Sequence, residues 1–133
     1  MSKEFKYELK IYYEDTDSGG VVYYANYLKF LERARTEMIT SFKLSNKKLL
    51  NEHNTLIMVK SCNIDFINPA KLEDKIQIFS SYNSMKKASF LIDQKITNKD
   101  KLILEAKIRL VTVNPKGKLI KIPEVLTKAL KKE

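Results

Sequence analysis

The sequence predicts an α+β protein in which one long helix lies against a curved antiparallel sheet of about five strands. Three observations lead to this prediction. One segment near the start alternates apolar and polar residues, the next repeats apolar residues at helical spacing, and four further strand-like segments follow through short connections. Because short connections favour antiparallel neighbours, the strands are expected to form one sheet that covers the apolar side of the helix.

The first strand is predicted over residues 5–13. Apolar residues occupy every second position, which is the period of a strand with one buried face. They are Phe5, Tyr7, Leu9, Ile11 and Tyr13, and they alternate with Lys6, Glu8 and Lys10 over the first half.

A long amphipathic helix is predicted over residues 25–42, because the apolar period changes there to three and four residues. Its expected inward side consists of Tyr27, Leu28, Leu31, Ala34, Met38 and Phe42. The polar residues 43–54 are expected to form a short second helix or a loop.

Four strands are predicted after this segment, over residues 56–67, 73–84, 87–97 and 102–113. Asn98-Lys99-Asp100 predicts a hairpin between the last two, and Asn114-Pro115-Lys116-Gly117 predicts a turn. The last strand is expected to bury Leu104, Ala106, Ile108 and Leu110. A terminal helix from Pro123 is expected to bury Val125, Leu126, Ala129 and Leu130.

Length and composition restrict the class of protein. A chain of 133 residues with 44% apolar content suits a single domain over residues 1–133 with a real core. The charged N-terminal segment and the lack of a long apolar run predict a cytoplasmic protein. The single cysteine, Cys62, allows neither an internal disulfide nor a thiolate zinc cluster, and we expect it to be buried in its strand.

The formal charge of +9 has two interpretations. It could mark a phosphate-rich partner, such as nucleic acid, a membrane surface or a phosphorylated cofactor. It could also be a compositional habit, because 22 of the 25 basic residues are lysines scattered along the chain. No helix-turn-helix, zinc-ligand or RNA-stacking pattern supports a nucleic-acid binder.

The junction between the first strand and the long helix, residues 12–27, is rich in acidic residues, glycine and tyrosine: "YYEDTDSGGVVYYANY". Asp17 precedes Gly19 and Gly20, which permit unusual backbone angles or close approach of a ligand. The acidic residues could simply cap a helix or form a turn. A calcium loop built on Asp15, Asp17 and Gly19 lacks the remaining ligands.

The segment "IYYEDTDSGGVVYYANYLKFLERARTEM", residues 11–38, closely resembles the signature of hotdog-fold acyl-CoA thioesterases of the 4-hydroxybenzoyl-CoA thioesterase and YbgC type, associated with the Tol-Pal system. Later segments, "DFINPAKLEDKIQI", "SMKKASF" and "EAKIRLVTVNP", are also similar to this family. The resemblance implies a hotdog fold, in which the sheet wraps the helix, and a homodimer or homotetramer with active sites at the dimer interface.

The resemblance assigns Asp17 the role of catalytic carboxylate, as nucleophile or general base in hydrolysis of an acyl-CoA to a free acid and CoA. It also implicates Tyr13, whose phenol could orient Asp17 or a water molecule. Because the first N–H groups of a helix lack intrahelical partners, the backbone amide at or next to Tyr24 is expected to bind the thioester carbonyl.

Gly19, Gly20 and Val22 are candidate substrate-binding residues at the same junction. Lys86 and Lys87 could contact the nucleotide phosphates of coenzyme A, or they could be an ordinary charged turn. Met58, Val59 and Phe66, with the helix, are candidates to line the acyl pocket.

No cofactor or metal is implied beyond the CoA of the substrate. Acyl carrier protein and Tol-Pal or other inner-membrane-associated proteins are candidate partners, and peripheral attachment to the inner membrane is a candidate location.

The chain departs from the family pattern at Tyr24, where YbgC-type proteins usually carry histidine. A phenol is a poor base near neutral pH, so a histidine-dependent step does not carry over. The departure keeps open a second function, a protein that binds acyl-CoA or acyl carrier protein with little turnover. A hotdog dehydratase is disfavoured because His53 is the only histidine. Packing roles are expected for Tyr23 and Tyr27, and a solvated or salt-bridged rim for Glu14 and Asp15.

Overall fold

A computed structural model describes residues 4–132, which form one five-stranded antiparallel sheet and three α-helices. The elements follow the predicted order, and the architecture is the predicted hotdog arrangement of a helix against a curved sheet. The elements are β1 (Phe5–Lys10), α1 (Asn26–Ser41), α2 (Asn46–His53), β2 (Leu56–Phe66), β3 (Lys75–Met85), β4 (Ser89–Asn98), β5 (Lys101–Val113) and α3 (Glu124–Lys132).

The strands lie in the spatial order β1-β3-β4-β5-β2, and every neighbouring pair is antiparallel. β3, β4 and β5 follow one another in sequence and in space, and the hairpin between β4 and β5 turns through Lys99, which has a positive φ of 58°. The two edges are the six-residue β1 and the eleven-residue β2. A register shift between Val59 and Ser61 interrupts the pairing of β2 with β5, and such bulges bend a strand locally.

The core lies between α1 and the face of the sheet that α1 covers. One stripe of the helix is buried: Tyr27, Phe30, Leu31, Ala34, Met38 and Ile39. The sheet contributes alternate residues of its strands, as period two requires, among them Ile76, Ile78, Phe90, Ile92, Ile96, Leu104 and Ile108. α2 adds Leu49 and α3 adds Leu126 and Leu130.

One polar residue, Gln94 of β4, is buried under α1 and has every polar atom in use. Its Nε2 donates to the backbone oxygen of Leu31 at 3.0 Å and to Ser80 Oγ at 2.8 Å. Its Oε1 accepts from Arg35 Nη1 at 3.0 Å. Because a buried amide without partners is costly, this network favours one placement of the helix on the sheet.

The structure corrects the first strand at its end. β1 stops at Lys10, and the regular pairing ends there. Ile11 donates its N–H to Asp74 O and accepts from Glu73 N–H, so two residues before β3 lie opposite one residue after β1. Tyr13 then lies in a 3₁₀ turn and is 82% exposed. The period-two pattern continues in the sequence beyond the last residue that the sheet pairs.

Two inward assignments on helices were wrong. Leu28 is 48% exposed, although it lies on the same side of α1 as the half-buried Arg35 and the buried Ile39. Burial on this side of α1 therefore increases along the helix and is incomplete at its N-terminal end. In α3, Leu126 and Leu130 are buried as predicted, whereas Val125 is exposed.

Cys62 is exposed, which contradicts the expected burial. It lies in β2, which pairs with β5 along one edge; among residues 4–132 no strand pairs with the other edge. A strand pattern predicts which residues share a face, but it does not predict whether the strand lies at the edge of the sheet. In the described part of the chain, no helix combines the length and apolar character that crossing a membrane requires.

Truncating Leu31, whose side chain is completely buried, should reduce stability much more than truncating Leu28 on the same helix. Leu31→Ala leaves a cavity and is expected to lower the free energy of unfolding by about 2–5 kcal/mol. Leu28→Ala is the matched control and should cost less than about 1 kcal/mol. Urea denaturation measures both, and equal losses would contradict the observed placement of α1.

Candidate active site

Asp17 lies in a tight turn between β1 and α1. Its backbone N–H donates to Val21 O at 2.9 Å, its carbonyl accepts from Gly20 N–H at 3.0 Å, and Thr16 and Val22 form an antiparallel bridge behind it. Asp17 is exposed at the tip of this small loop. The loop therefore holds a carboxylate at the surface without burying it in the core.

The Asp17 carboxylate is oriented by a single hydrogen bond. Gly19 N–H donates to Oδ1 at 2.8 Å. Oδ2 accepts no hydrogen bond within residues 4–132. One oxygen is thus held by the loop, and the other is free to act on a ligand.

The two glycines are required for different reasons. Gly20 has a φ of +79°, in the left-handed region that side chains disfavour. A Cβ at Gly19 would instead lie 3.3 Å from Asp17 Oδ1, and would press on the oriented carboxylate. Gly20 therefore shapes the turn, and Gly19 leaves room for the acid.

Within the described residues, the start of α1 presents two backbone N–H groups without hydrogen-bond partners. Tyr23 N–H donates to Asp15 O, and Asn26 N–H donates to Tyr23 O. In the chain as described from residue 4 to residue 132, the N–H groups of Tyr24 and Ala25 donate no hydrogen bond. These groups lie at the positive end of the helix dipole and suit a developing negative charge on oxygen.

This helix start has no capping side chain. The residue at the N-cap position is Ala25, and the first turn contains no acidic residue. α2, by contrast, begins with Ser45, whose Oγ accepts from Lys48 N–H at 2.9 Å. The amides of Tyr27 and Leu28, which a side chain at the N-cap position would normally serve, donate instead to the backbone oxygens of Tyr24 and Ala25. The open donors are therefore the amides of the two residues that precede α1.

Two predicted catalytic side chains, those of Tyr13 and Tyr24, form no hydrogen bond with the Asp17 carboxylate. Tyr13 contributes its backbone oxygen to Thr16, and its exposed phenol forms no hydrogen bond with Asp17. Tyr24 is 64% exposed, and its ring lies 5.1 Å from that of Tyr23. Of these two residues, only Tyr24 offers a backbone group at the helix start.

An aromatic pocket of about 260 Å³ lies beside the start of α1. The ring of Phe66 lies 6.2 Å from Tyr24 and 5.9 Å from Tyr27, measured between centroids. Val22, a candidate substrate-binding residue, is buried and lines the same pocket. The pocket places apolar surface next to the open amides.

A second, narrower cleft of about 110 Å³ lies farther along α1, between the helix and strands β2, β4 and β5. Ile57, Val59 and Ile92 contribute to its apolar wall, and Arg35 lies at its polar side. Burial lowers the pKa of Arg35, and nearby Glu32 acts in the opposite direction. Val59 lines this cleft, whereas Met58 alternates to the other face of β2.

Lys86 and Lys87 lie in the turn after β3, where Lys86 N–H donates to Ser89 O and Lys87 O accepts from Ile122 N–H. This turn is at the opposite end of the sheet from Asp17, because Lys10 pairs with Lys75 at the start of β3. Ten residue steps of strand span roughly 33 Å. Within one protomer, the two lysines are therefore too far from Asp17 to share a site with it.

Several residues have roles different from those expected. Asp15, expected at a solvated or salt-bridged rim, holds the turn: its Oδ2 accepts from Tyr12 N–H at 2.9 Å, and its backbone oxygen accepts from Asn26 Nδ2. Sequence reasoning missed Asn26, although an amide at a helix start is a recognisable signal. His53 is exposed at the end of α2. Among the residues described, no three His, Cys, Asp or Glu side chains are grouped to hold a metal.

The fold and site together define a hotdog protein with an exposed carboxylate beside an uncapped helix start. The model of the Thioesterase-like superfamily matches residues 12–130, and the chain belongs to this family. It is 38% identical over 112 residues to the acyl-CoA thioester hydrolase YbgC of Escherichia coli, covering 84% of this chain and 83% of that protein. It is 34% identical over 114 residues to the acyl-CoA thioesterase YbgC of Haemophilus influenzae, covering 86% and 84%.

Solved structures show the same fold. The probable thioesterase of Bartonella henselae superposes with a TM-score of 0.88 at 27% identity, covering 91% of this chain and 100% of that one.

Gly20→Ala is expected to strain the Asp17 turn. An alanine at the left-handed φ should lower the free energy of unfolding by about 1–2 kcal/mol. Gly117 is the matched control, because it has a φ of +82° and, like Gly20, no atom within 4 Å of an added Cβ. Gly117→Ala should cost about the same in thermal or urea unfolding. A Gly20→Ala protein as stable as the wild type would show that the turn does not need this conformation.

Proposed function

We propose that this protein hydrolyses acyl-CoA thioesters to a free carboxylic acid and CoA. The observation that carries the proposal is that, within residues 4–132, one carboxylate oxygen of Asp17 accepts no hydrogen bond and the N–H groups of Tyr24 and Ala25 donate none. Thioester hydrolysis needs a group that attacks or activates water, and donors that stabilise the oxyanion. The names of the similar YbgC proteins support the same substrate class.

Asp17 acts in one of two ways. As a nucleophile, its free oxygen attacks the acyl carbon, the C–S bond breaks, CoA leaves as thiolate, and water then hydrolyses the resulting anhydride. As a general base, it takes a proton from a water molecule that attacks the carbon directly, after which the C–S bond breaks, CoA leaves as thiolate and the proton returns to solvent or to the thiolate. In both, the carbonyl oxygen becomes negative and accepts from the Tyr24 and Ala25 amides. Losing one such donor typically costs about 10²–10³ in kcat.

Tyr24 acts through its backbone N–H and through its ring, which packs against Phe66 at the pocket wall. In the proposed mechanism, the Tyr24 phenol takes part in no proton transfer. The Tyr13 phenol forms no hydrogen bond to Asp17, so of its two expected roles we retain the orientation of a water molecule at the exposed rim of the site. Gly19, Gly20 and Val22 let the thioester approach this loop.

The acyl chain is proposed to leave the reaction centre along the side of α1 that faces β2. The pocket at Phe66 borders the open amides, and the cleft at Val59 and Arg35 lies farther along the same side. Leu28, which lies between Tyr27 and Arg35 in the sequence of α1, is 48% exposed and so offers further apolar surface along the helix. Both ends of this path are mainly apolar, which suits an acyl chain.

We propose that the active unit is a homodimer formed through the free edge of β2. This edge strand exposes Met58, Val59 and Phe66. A long apolar edge strand readily pairs with a strand of another chain, because its outer N–H and C=O groups are unpaired. A two-fold axis beside β2 reverses the partner sheet. The Lys86–Lys87 turn of one protomer then comes to the side that carries Asp17 of the other, where it can meet the CoA phosphates.

Replacing Asp17 tests the catalytic assignment. Asp17→Asn keeps the size of the side chain but removes the charge, and kcat should fall by about 10²–10⁴. Glu14→Gln is the matched control, an exposed neighbouring carboxylate, and should retain wild-type turnover. The assay uses aliphatic and aromatic acyl-CoAs of several lengths. Full activity of Asp17→Asn would exclude the assignment.

Single turnover in ¹⁸O-labelled water then separates the two mechanisms, because only the nucleophilic route places label in the enzyme carboxylate. A second function, acyl-CoA binding with little turnover, is motivated by Tyr24 in place of the family's histidine. Tight binding of acyl-CoA by a wild-type protein that does not hydrolyse the panel would favour this function.

The dimer predicts complementation between two defective chains. Asp17→Asn should lower kcat by the factor given above, and Lys86→Ala/Lys87→Ala should raise KM. Co-expression of the two produces heterodimers that contain one intact site, so about one quarter of all sites should regain wild-type kcat/KM. Asp17→Asn co-expressed with wild type is the control and should show no gain per wild-type chain. Absence of recovery in the mixed protein, with heterodimers present, would exclude a shared site.

A further inference from the structure

Asn26 is joined to the Asp17 turn on the side that precedes Asp17. Its Nδ2 donates to the backbone oxygen of Asp15 at 2.9 Å, across eleven residues of chain. The same oxygen accepts from Tyr23 N–H at 3.1 Å. The first residue of α1 therefore fixes the entry to the turn relative to the helix.

Tyr27, the second residue of α1, is joined to the turn on the side that follows Asp17. Its Oη accepts from Ala70 N–H at 3.0 Å, and Ala70 O accepts from Val22 N–H at 2.9 Å. Tyr27 and Ala70 are both buried, so no solvent replaces these bonds. Val22 in turn bridges to Thr16, which precedes Asp17.

The Tyr27 phenol is suited to a fixed acceptor role. Burial, the largest cause, raises its pKa above the ordinary value, and the charge of Asp74 adds to this, whereas the Ala70 hydrogen bond acts in the opposite direction. The phenol is therefore neutral at neutral pH. Its removal leaves the buried Ala70 N–H without a partner, and a buried donor without a partner favours rearrangement of the segment that carries it.

We propose that Asn26 and Tyr27 are positioning residues that hold the Asp17 carboxylate in register with the open amides of Tyr24 and Ala25. This inference rests on the proposed hydrolysis. The amides belong to the start of α1, and Asn26 and Tyr27 anchor both sides of the carboxylate turn to that same helix turn. The position of the acid relative to the oxyanion donors is thereby fixed by the first turn of α1.

The geometric demand explains why such anchors matter. The acid must reach the acyl carbon while the amides reach its oxygen, and a displacement of about 1 Å can cost on the order of 10² in rate. The loop itself is exposed at Asp17 and carries two glycines, so its own packing does not provide this precision. The anchors are the hydrogen bonds to α1.

The first test is Tyr27→Phe, which removes only the hydroxyl. We expect kcat to fall about 10- to 100-fold while KM changes less than about threefold. Hydrogen exchange should show loss of protection at the Val22 amide, with the amides of β4 unchanged. Ile96→Val, a conservative change in the buried face of β4, is the control for a general loss of stability and should keep wild-type kcat.

The second test is Asn26→Ala, which removes the other anchor but replaces it with a better helix former. We expect a similar fall in kcat without loss of helix. If both residues act through one turn, the double variant should lose less than the product of the two single losses. Unfolding curves establish that each variant is folded at the assay temperature.

Wild-type kcat, within about twofold, in both single variants would overturn the inference, as would an equal loss in Ile96→Val or strictly multiplicative losses in the double variant. Failure of the proposed function is separable from these outcomes, since it appears as an inactive wild-type protein across the acyl-CoA panel. That result would also remove the basis of this inference.

Discussion

The structure depends on the burial of one stripe of α1 against the sheet. Leu31 and Ala34 are completely enclosed, and five strands curve around the helix to enclose them. The buried Gln94 orients the helix on the sheet, because its hydrogen bonds to Leu31, Ser80 and Arg35 form together in one placement of the helix. Apolar packing provides the main driving force, and the polar network selects one arrangement.

The candidate site lies where that packing ends. At its N-terminus α1 has no side-chain cap, whereas α2 has Ser45. The start of α1 thus lacks a side-chain cap, and such a cap is typically worth about 1 kcal/mol. Such local departures from good helix design are characteristic of functional sites. Within residues 4–132, the amides of Tyr24 and Ala25 donate no hydrogen bond and the second oxygen of Asp17 accepts none.

The edge strand β2 connects fold and assembly. A strand of eleven residues with exposed apolar side chains is a liability in an isolated protomer. The same strand borders both the aromatic pocket and the cleft along α1. In the proposed dimer, pairing this edge would cover the liability, complete the wall of the acyl path and bring the Lys86–Lys87 turn to the opposite active site.

The element order, the buried face of β5 and the hairpin at Lys99 could be predicted, because they depend on local period and local turn chemistry. The Asp17 turn could be recognised from its acid and its glycine pair. The exposure of Tyr13 and Cys62 could not be predicted, because it depends on where the sheet stops pairing and which strand is at its edge. Asn26 was missed because its partner, the backbone oxygen of Asp15, is eleven residues away. Asp15 was misjudged although its carboxylate accepts locally, from the N–H of Tyr12 three residues before it.

By itself, the sequence determined which segments are helix or strand, and that an acid and two glycines stand at one junction, because these are properties of neighbouring residues. Only the tertiary structure decided that the helix start is uncapped, that Asn26 and Tyr27 tie both sides of the turn to α1, and that Lys86 and Lys87 lie at the far end of the sheet. These features depend on contacts between segments far apart in the chain, such as Tyr27 and Ala70, and no local pattern records them.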